Sequence, residues 1–123
     1  MKIFNKDIGK YWEYLSTEHL INDNHRILEN NYRIKLGEID IISYCNNIIV
    51  FTEVKSRYTD SYGLPKESVT YYKQRQIIKV SSYYILINKF NNFNVRYDVI
   101  EIIFNKLNQT FKLNHIKDAF RTY

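Results

Sequence analysis

The apolar residues change rhythm several times along the chain, and each change marks an element. Ile8, Tyr11, Trp12 and Leu15 recur at the spacing of one helix face behind Asp7, a suitable N-cap, which predicts a first helix from about Asp7 to Asn22 with its end at "NDN". From Ile27 to Thr52 the pattern shortens into β-rich runs broken at Asn30-Asn31, Gly37 and Asn46-Asn47, as in two or three antiparallel strands. The segment "DSYGLP" (60–65) gathers Gly and Pro and precedes a second helical stripe within Ser68 to Phe90, formed by Val69, Tyr72, Gln76, Ile77, Val80, Tyr84 and Ile87. Val95 to Phe104 is β-branched and apolar on both faces, the mark of a strand covered on both sides. "TFKL" adds a short edge strand, and "HIKDAF" reads as a packing turn of helix. Hairpin, crossover helix and strand together predict an α/β fold built on one mixed sheet.

At 123 residues the chain has the size of one domain, 1–123. Its 18 Lys and Arg exceed its 13 Asp and Glu, giving +5, a sign that suits a phosphate-rich partner without requiring one. Cys45 is alone, which excludes an internal disulfide, fits a reducing cytoplasm and predicts a small buried apolar role. The longest apolar stretch, Tyr83 to Ile87, is far below the ~20 residues a membrane helix needs, so no membrane partner is expected.

Chemistry concentrates in Gly37 to Arg57, "GEIDIISYCNNIIVFTEVKSR". If Asn46-Asn47 is a two-residue hairpin loop, cross-strand partners have numbers summing to 93. Asp40 then faces Glu53, and Glu38 faces Lys55, on the face that also carries Ile42, Tyr44, Ile49 and Phe51; Ile39, Ile41, Val50 and Val54 fill the other. Like charges opposed on an apolar sheet are destabilising, so a cation belongs between them. Lys55 supplies one; two carboxylates beside a backbone carbonyl also form the hard oxygen site that suits Mg²⁺. An Asp-Lys-Glu ion network at a hairpin end meets the same spacing, and the residues alone leave the two readings level.

In order along nearly the whole chain, "GEIDII", "VFTEVKSR", "YGLP.ESV", "RYDVI" and "HIKDAF" resemble the YraN-like family of small bacterial proteins. The resemblance implies a restriction-endonuclease-like fold, a mixed central sheet flanked by helices, with a PD-(D/E)xK nuclease signature. It implies that Asp40, Glu53 and Lys55 are catalytic, that Asp40, Glu53 and the carbonyl of Val54 hold Mg²⁺ or Mn²⁺, and that Glu13 and Glu38 support them. Lys73 matches a basic position on the second long helix and would contact phosphate. Trp12 stands where the family has a small residue, which makes the approach of the first helix a point to test.

Arg57 and Arg75, with Lys66 and Lys79, extend that phosphate track, interleaved with Tyr58, Tyr62, Tyr71 and Tyr72 for stacking on unpaired bases; a solvated helix face is the plainer account. His19, His25 and His115 lack the spacing of a zinc site and are assigned packing or surface roles, and Arg96 and Asp98 an internal ion pair. The expected function is Mg²⁺-dependent hydrolysis of DNA, branched or damaged DNA included. The alternative is a nucleic-acid-binding protein that keeps the metal site without turnover. The oligomeric state, a homodimer included, is left open.

Overall fold

The computed structural model describes residues 5–59 and 69–122. Helix α1 (Asn5–Asn22) leads into three strands, β1 (Arg26–Ile34), β2 (Gly37–Cys45) and β3 (Ile48–Thr59); helix α2 (Tyr71–Asn88) crosses to β4 (Asn94–Asn105), and β5 (Thr110–Phe120) follows. The five strands lie in sequence order in one sheet, antiparallel except where β3 and β4 run parallel across the α2 crossover. This mixed α/β sheet with two helices is compatible with a restriction-endonuclease-like fold.

The helices cover opposite faces. Ile77, Val80 and Tyr84 of α2 pack on Ile42, Ile49, Phe51, Tyr97 and Val99, whereas Trp12 and Leu20 of α1 pack on Ile41, Ile100 and Ile102. Trp12 is buried against Phe104 and Phe111, so its bulk fills the α1 interface.

The hairpin turn behaves as expected: Asn46 and Asn47 both have positive φ, 50° and 66°, and the pairs from Cys45 with Ile48 to Ile41 with Thr52 follow the predicted sum. Several expectations need correction. α1 begins at Asn5, which places Asp7 inside the helix rather than at its cap. Asn30-Asn31 does not break β1, which runs through it with Asn31 at φ 54°. Ile39 joins the α2 cluster while Ile41 joins the α1 cluster, so the alternation of faces is lost between them, where Asn31 lies opposite Asp40 in the β1–β2 register. "HIKDAF" is strand, because Ile116 and Phe120 pair with Val99 and Tyr97 of β4.

Tyr72 and Ile87 are exposed, and Ile78 and Ser81 take their places on the buried stripe of α2. Cys45 is half-buried rather than buried. The "DSYGLP" segment, with Tyr62 and Lys66, lies outside the described residues. Among the described residues no helix is long and apolar enough to cross a membrane.

Candidate functional site

β2 and β3 stay paired only as far as Ile41 and Thr52. One residue further on, the Asp40 carboxylate accepts a hydrogen bond from the Val54 N–H at 2.8 Å, taking the place that the β2 backbone would fill if the ladder continued. Residues of an extended strand present N–H and C=O to the same side. The Val54 carbonyl therefore faces the same gap as Asp40. Asp40 and Glu53 lie close enough for the Asp40 carboxyl to act on Glu53, and side chain rather than backbone brings them together.

The electrostatics report who else is close. Burial pushes the Asp40 carboxyl up to about 6, with Glu13 and Glu38 adding to the rise, while the Val54 N–H opposes it. Burial likewise raises Glu53, to about 8, followed by the charge of Asp40, while Lys73 and Lys55 pull it down. Thus Glu13 on α1, Glu38 and Asp40 on β2, Glu53 and Lys55 on β3 and Lys73 on α2 all act on one point, and Trp12 does not keep α1 away from it. Glu38 is also bonded to Arg33 across the β1–β2 turn at 2.9 Å, an exposed pair at the rim.

α2 is anchored to this point through its first turn. Thr70 caps the helix by accepting from the Lys73 N–H at 3.1 Å, and Gln76 Nε2 donates to the Leu36 carbonyl at 3.2 Å, tying the helix to the turn before β2. Gly37 sits there at φ 150°, and a Cβ on it would meet the Gln76 side chain at 2.8 Å. The glycine of "GEID" thus lets α2 approach closely enough for Lys73, held at 3.4 Å from Gln76 Oε1, to act on both carboxyls.

Arg57 lies two residues beyond Lys55, 3.8 Å from the buried Glu101, and Arg75 lies on the other flank of α2, lining a cleft with the end of β5. Lys73 and Arg75 therefore lie on different flanks of α2. Sequence reasoning passed over Glu101. Buried, with one carboxylate oxygen lacking a hydrogen bond, it pairs in register with Lys55, and only the parallel β3–β4 alignment makes that visible.

Two carboxyls and the Val54 carbonyl are the oxygen donors that could hold a divalent cation; among the described residues no three His, Cys, Asp or Glu side chains form such a group by themselves. The donor set fits a hard ion that retains water, because a half-buried carboxyl pair ionises together only when a cation compensates it. A cleft of about 690 Å³ lies away from these residues, beside Arg96, Asp118 and Arg121.

A family model described as "Uncharacterised protein family UPF0102" matches residues 12–102, from the start of the buried stretch of α1 to the end of the buried run of β4. The chain belongs to the UPF0102 family. Among relatives, a UPF0102 protein of Clostridium botulinum (strain Eklund 17B / Type B) is 60% identical over 122 residues, covering 99% of this chain and 100% of that protein. UPF0102 proteins of Clostridium beijerinckii and Clostridium tetani are 51% and 47% identical over 121 residues each, covering 98% of this chain and 98% and 99% of theirs. The family match bears out the resemblance drawn from the motifs, and it takes in Glu13, Glu38, Asp40, Glu53, Lys55 and Lys73 of this UPF0102 chain.

The three histidines, His115 far along the chain from His19 and His25, meet on the opposite side of the sheet from α2. Asp98 accepts from Arg96 at 2.8 Å and 2.9 Å, from His115 at 2.8 Å and from the Asp118 N–H at 3.0 Å. His115 in turn bonds His19 at 3.1 Å, while His25 bonds Ser43 at 2.8 Å. The expected Arg96–Asp98 pair is therefore the centre of a larger buried network.

Proposed function

We propose that this UPF0102 protein hydrolyses phosphodiester bonds in DNA with Mg²⁺ or Mn²⁺ held by Asp40, Glu53 and the Val54 carbonyl. The observation that carries this reading is the paired Asp40 and Glu53 carboxyls at the end of an open hairpin, with Lys55 acting on Glu53 and Lys73 on both. A divalent ion there would polarise a phosphate oxygen and ease ionisation of an attacking water. Asp40 is fixed by the Val54 N–H and so presents its carboxylate in one orientation. Lys55, on the strand that carries Glu53, would orient the water or, as the free amine, take its proton, while the water oxygen bonds phosphorus, the bridging P–O bond breaks and the leaving sugar oxygen takes up a proton from solvent. Lys73 holds a phosphate of the bound strand.

Incubation of the purified protein with linear, flapped and four-way DNA in Mg²⁺ or Mn²⁺ tests the proposal: cleavage of at least one is expected. Binding without cleavage of any would make the protein a nucleic-acid-binding module instead. Affinity is expected to fall steeply with salt, and Lys73→Ala to weaken all sequences alike while flattening the salt slope by about one unit, since a phosphate contact carries no base information. Titrations at several salt concentrations check this, and an effect confined to one sequence would remove Lys73 from the phosphate contacts.

The carboxyl pair also sets a stability signature. A carboxyl raised in the folded state binds its proton more tightly there than in the unfolded chain. Its contribution is complete below about pH 4 and is lost as pH rises through about 6 for Asp40 and about 8 for Glu53. In chelator, Asp40→Asn keeps an oxygen for the Val54 N–H and removes the charge, so at about pH 8 it is expected to stabilise the protein by roughly 0.5 to 1 kcal/mol. The same change should abolish the rise in Tm that Mg²⁺ gives the wild type. Thermal melts of both proteins, with chelator and with Mg²⁺, check it; a variant that is less stable in chelator yet still raised by Mg²⁺ would separate Asp40 from any cation on Glu53.

A further inference from the structure

The first two turns of α2 have two working flanks. Lys73 and Gln76, three residues apart, face the Asp40–Glu53 site, whereas Tyr71, Arg75 and Ile78, spaced four and three apart, line a cleft of about 340 Å³ against Phe120 and Arg121 at the end of β5. Residues 71 and 73 point to opposite sides of a helix, so the site and the cleft are separated by the helix tip, about 10 Å across. Phe120 is buried and stacks on Tyr97 with ring centroids 5.2 Å apart, giving the cleft a rigid apolar floor that continues into the larger cleft beside Arg96. Its mouth carries Tyr71, 74% exposed, and Tyr72 beside it is 79% exposed. No acidic residue lies in these turns, and the Thr70 cap and the Gln76 anchor hold them in place.

We infer that this cleft takes an unpaired nucleotide of the substrate strand, so that the preferred substrate carries a single-stranded segment next to the phosphate bound at Asp40 and Glu53. The inference rests on the phosphodiesterase reading and names its substrate class. A duplex offers this surface phosphates alone, because its bases are stacked on one another and present only edges in the grooves. An exposed tyrosine ring flanked by arginines matches an unpaired base with its phosphate: the ring stacks on the base and Arg75 meets the backbone, independent of sequence. Arg121 engages Asp118 at 3.1 Å and closes the far wall.

Fluorescence anisotropy in chelator, where turnover is suppressed, tests this with labelled oligonucleotides of equal length: a single strand, a duplex with a single-stranded tail and a blunt duplex. The wild type is expected to bind the first two at least tenfold more tightly than the third. Tyr71→Leu is expected to weaken those two about tenfold while leaving the blunt duplex unchanged, and Tyr71→Phe to behave as wild type, since the ring and not the hydroxyl stacks. Thermal melts verify that both variants fold, as the exposure of Tyr71 requires. Equal wild-type affinity for blunt and tailed duplexes, or a Tyr71→Leu effect that is absent or uniform across all three, would overturn the inference and leave the phosphodiesterase reading standing. Failure of the wild type to bind any of them would overturn the inference, while cleavage in Mg²⁺ or Mn²⁺ decides the phosphodiesterase reading separately.

Discussion

Lys55→Ala is expected to slow Mg²⁺-dependent DNA cleavage at least a hundredfold while changing DNA affinity and the Mg²⁺-induced rise in Tm only a little. The size follows from the role: a positioned proton-transfer group or a preorganised charge at the reacting centre each contributes about 10² or more. The selectivity follows from the position, since the oxygen donors for a cation are Asp40, Glu53 and the Val54 carbonyl, and Lys55 is none of them. Lys55 also opposes the rise of the Glu53 carboxyl, so its loss leaves Glu53 holding its proton more firmly in the metal-free protein. Lys55→Arg divides the two roles. A guanidinium keeps the charge and does not give up its proton, so partial activity would assign Lys55 to charge stabilisation and complete loss to proton transfer. Single-turnover cleavage rates provide the measurement, and a Lys55→Ala protein that cleaves as fast as wild type would end the assignment.

Much of this arrangement is legible in the sequence because the Asn46-Asn47 turn chemistry fixes a register. Two consecutive residues at positive φ specify the hairpin, and the register brings positions 40 and 53 to the same end of it. The register does not reveal that the ladder stops at Ile41. That depends on the Asp40 side chain outcompeting the β2 backbone for the Val54 N–H, a choice made by tertiary packing. "HIKDAF" misleads for a related reason. β5 spends four residues, Ile116 to Phe120, where β4 advances two, from Val99 back to Tyr97, and Asp118 takes φ 55° within this bulge. The extra residues place Ile116 and Phe120 in the same core at a spacing of four, which imitates a helix face. The histidines carry no local signal of their meeting, since His19, His25 and His115 come from α1, the segment before β1 and β5 and come together only through the assembled sheet.

The bulge and the histidines share a cause in Asp98, and the same residue yields the largest stability effect expected outside the site. Burial alone would raise its carboxyl, but bonds from His115, Arg96 and the Asp118 N–H outweigh burial and hold it at about 2. Because an ionised carboxylate only accepts, His115 donates from Nε2, and its Nδ1 is turned toward His19 Nε2. One charge therefore sets the orientation of two imidazoles and the shape of the β5 bulge. Asp98→Asn substitutes an amide with one acceptor oxygen for a buried carboxylate facing three donor groups, leaving buried donors short of an acceptor and the half-buried Arg96 guanidinium without its nearest partner, and is expected to cost about 3 kcal/mol at neutral pH. The pH dependence has a definite sign. A carboxyl lowered from its ordinary value near 3.8 to about 2 contributes stability that is present above about pH 4 and disappears as pH falls through about 2, roughly 2 kcal/mol in all. Wild type and variant should thus differ most at neutral pH and converge in acid. Urea unfolding of both proteins between about pH 7 and pH 2 measures it, and a difference below about 1 kcal/mol that stays constant with pH would show that Asp98 does not hold the network together.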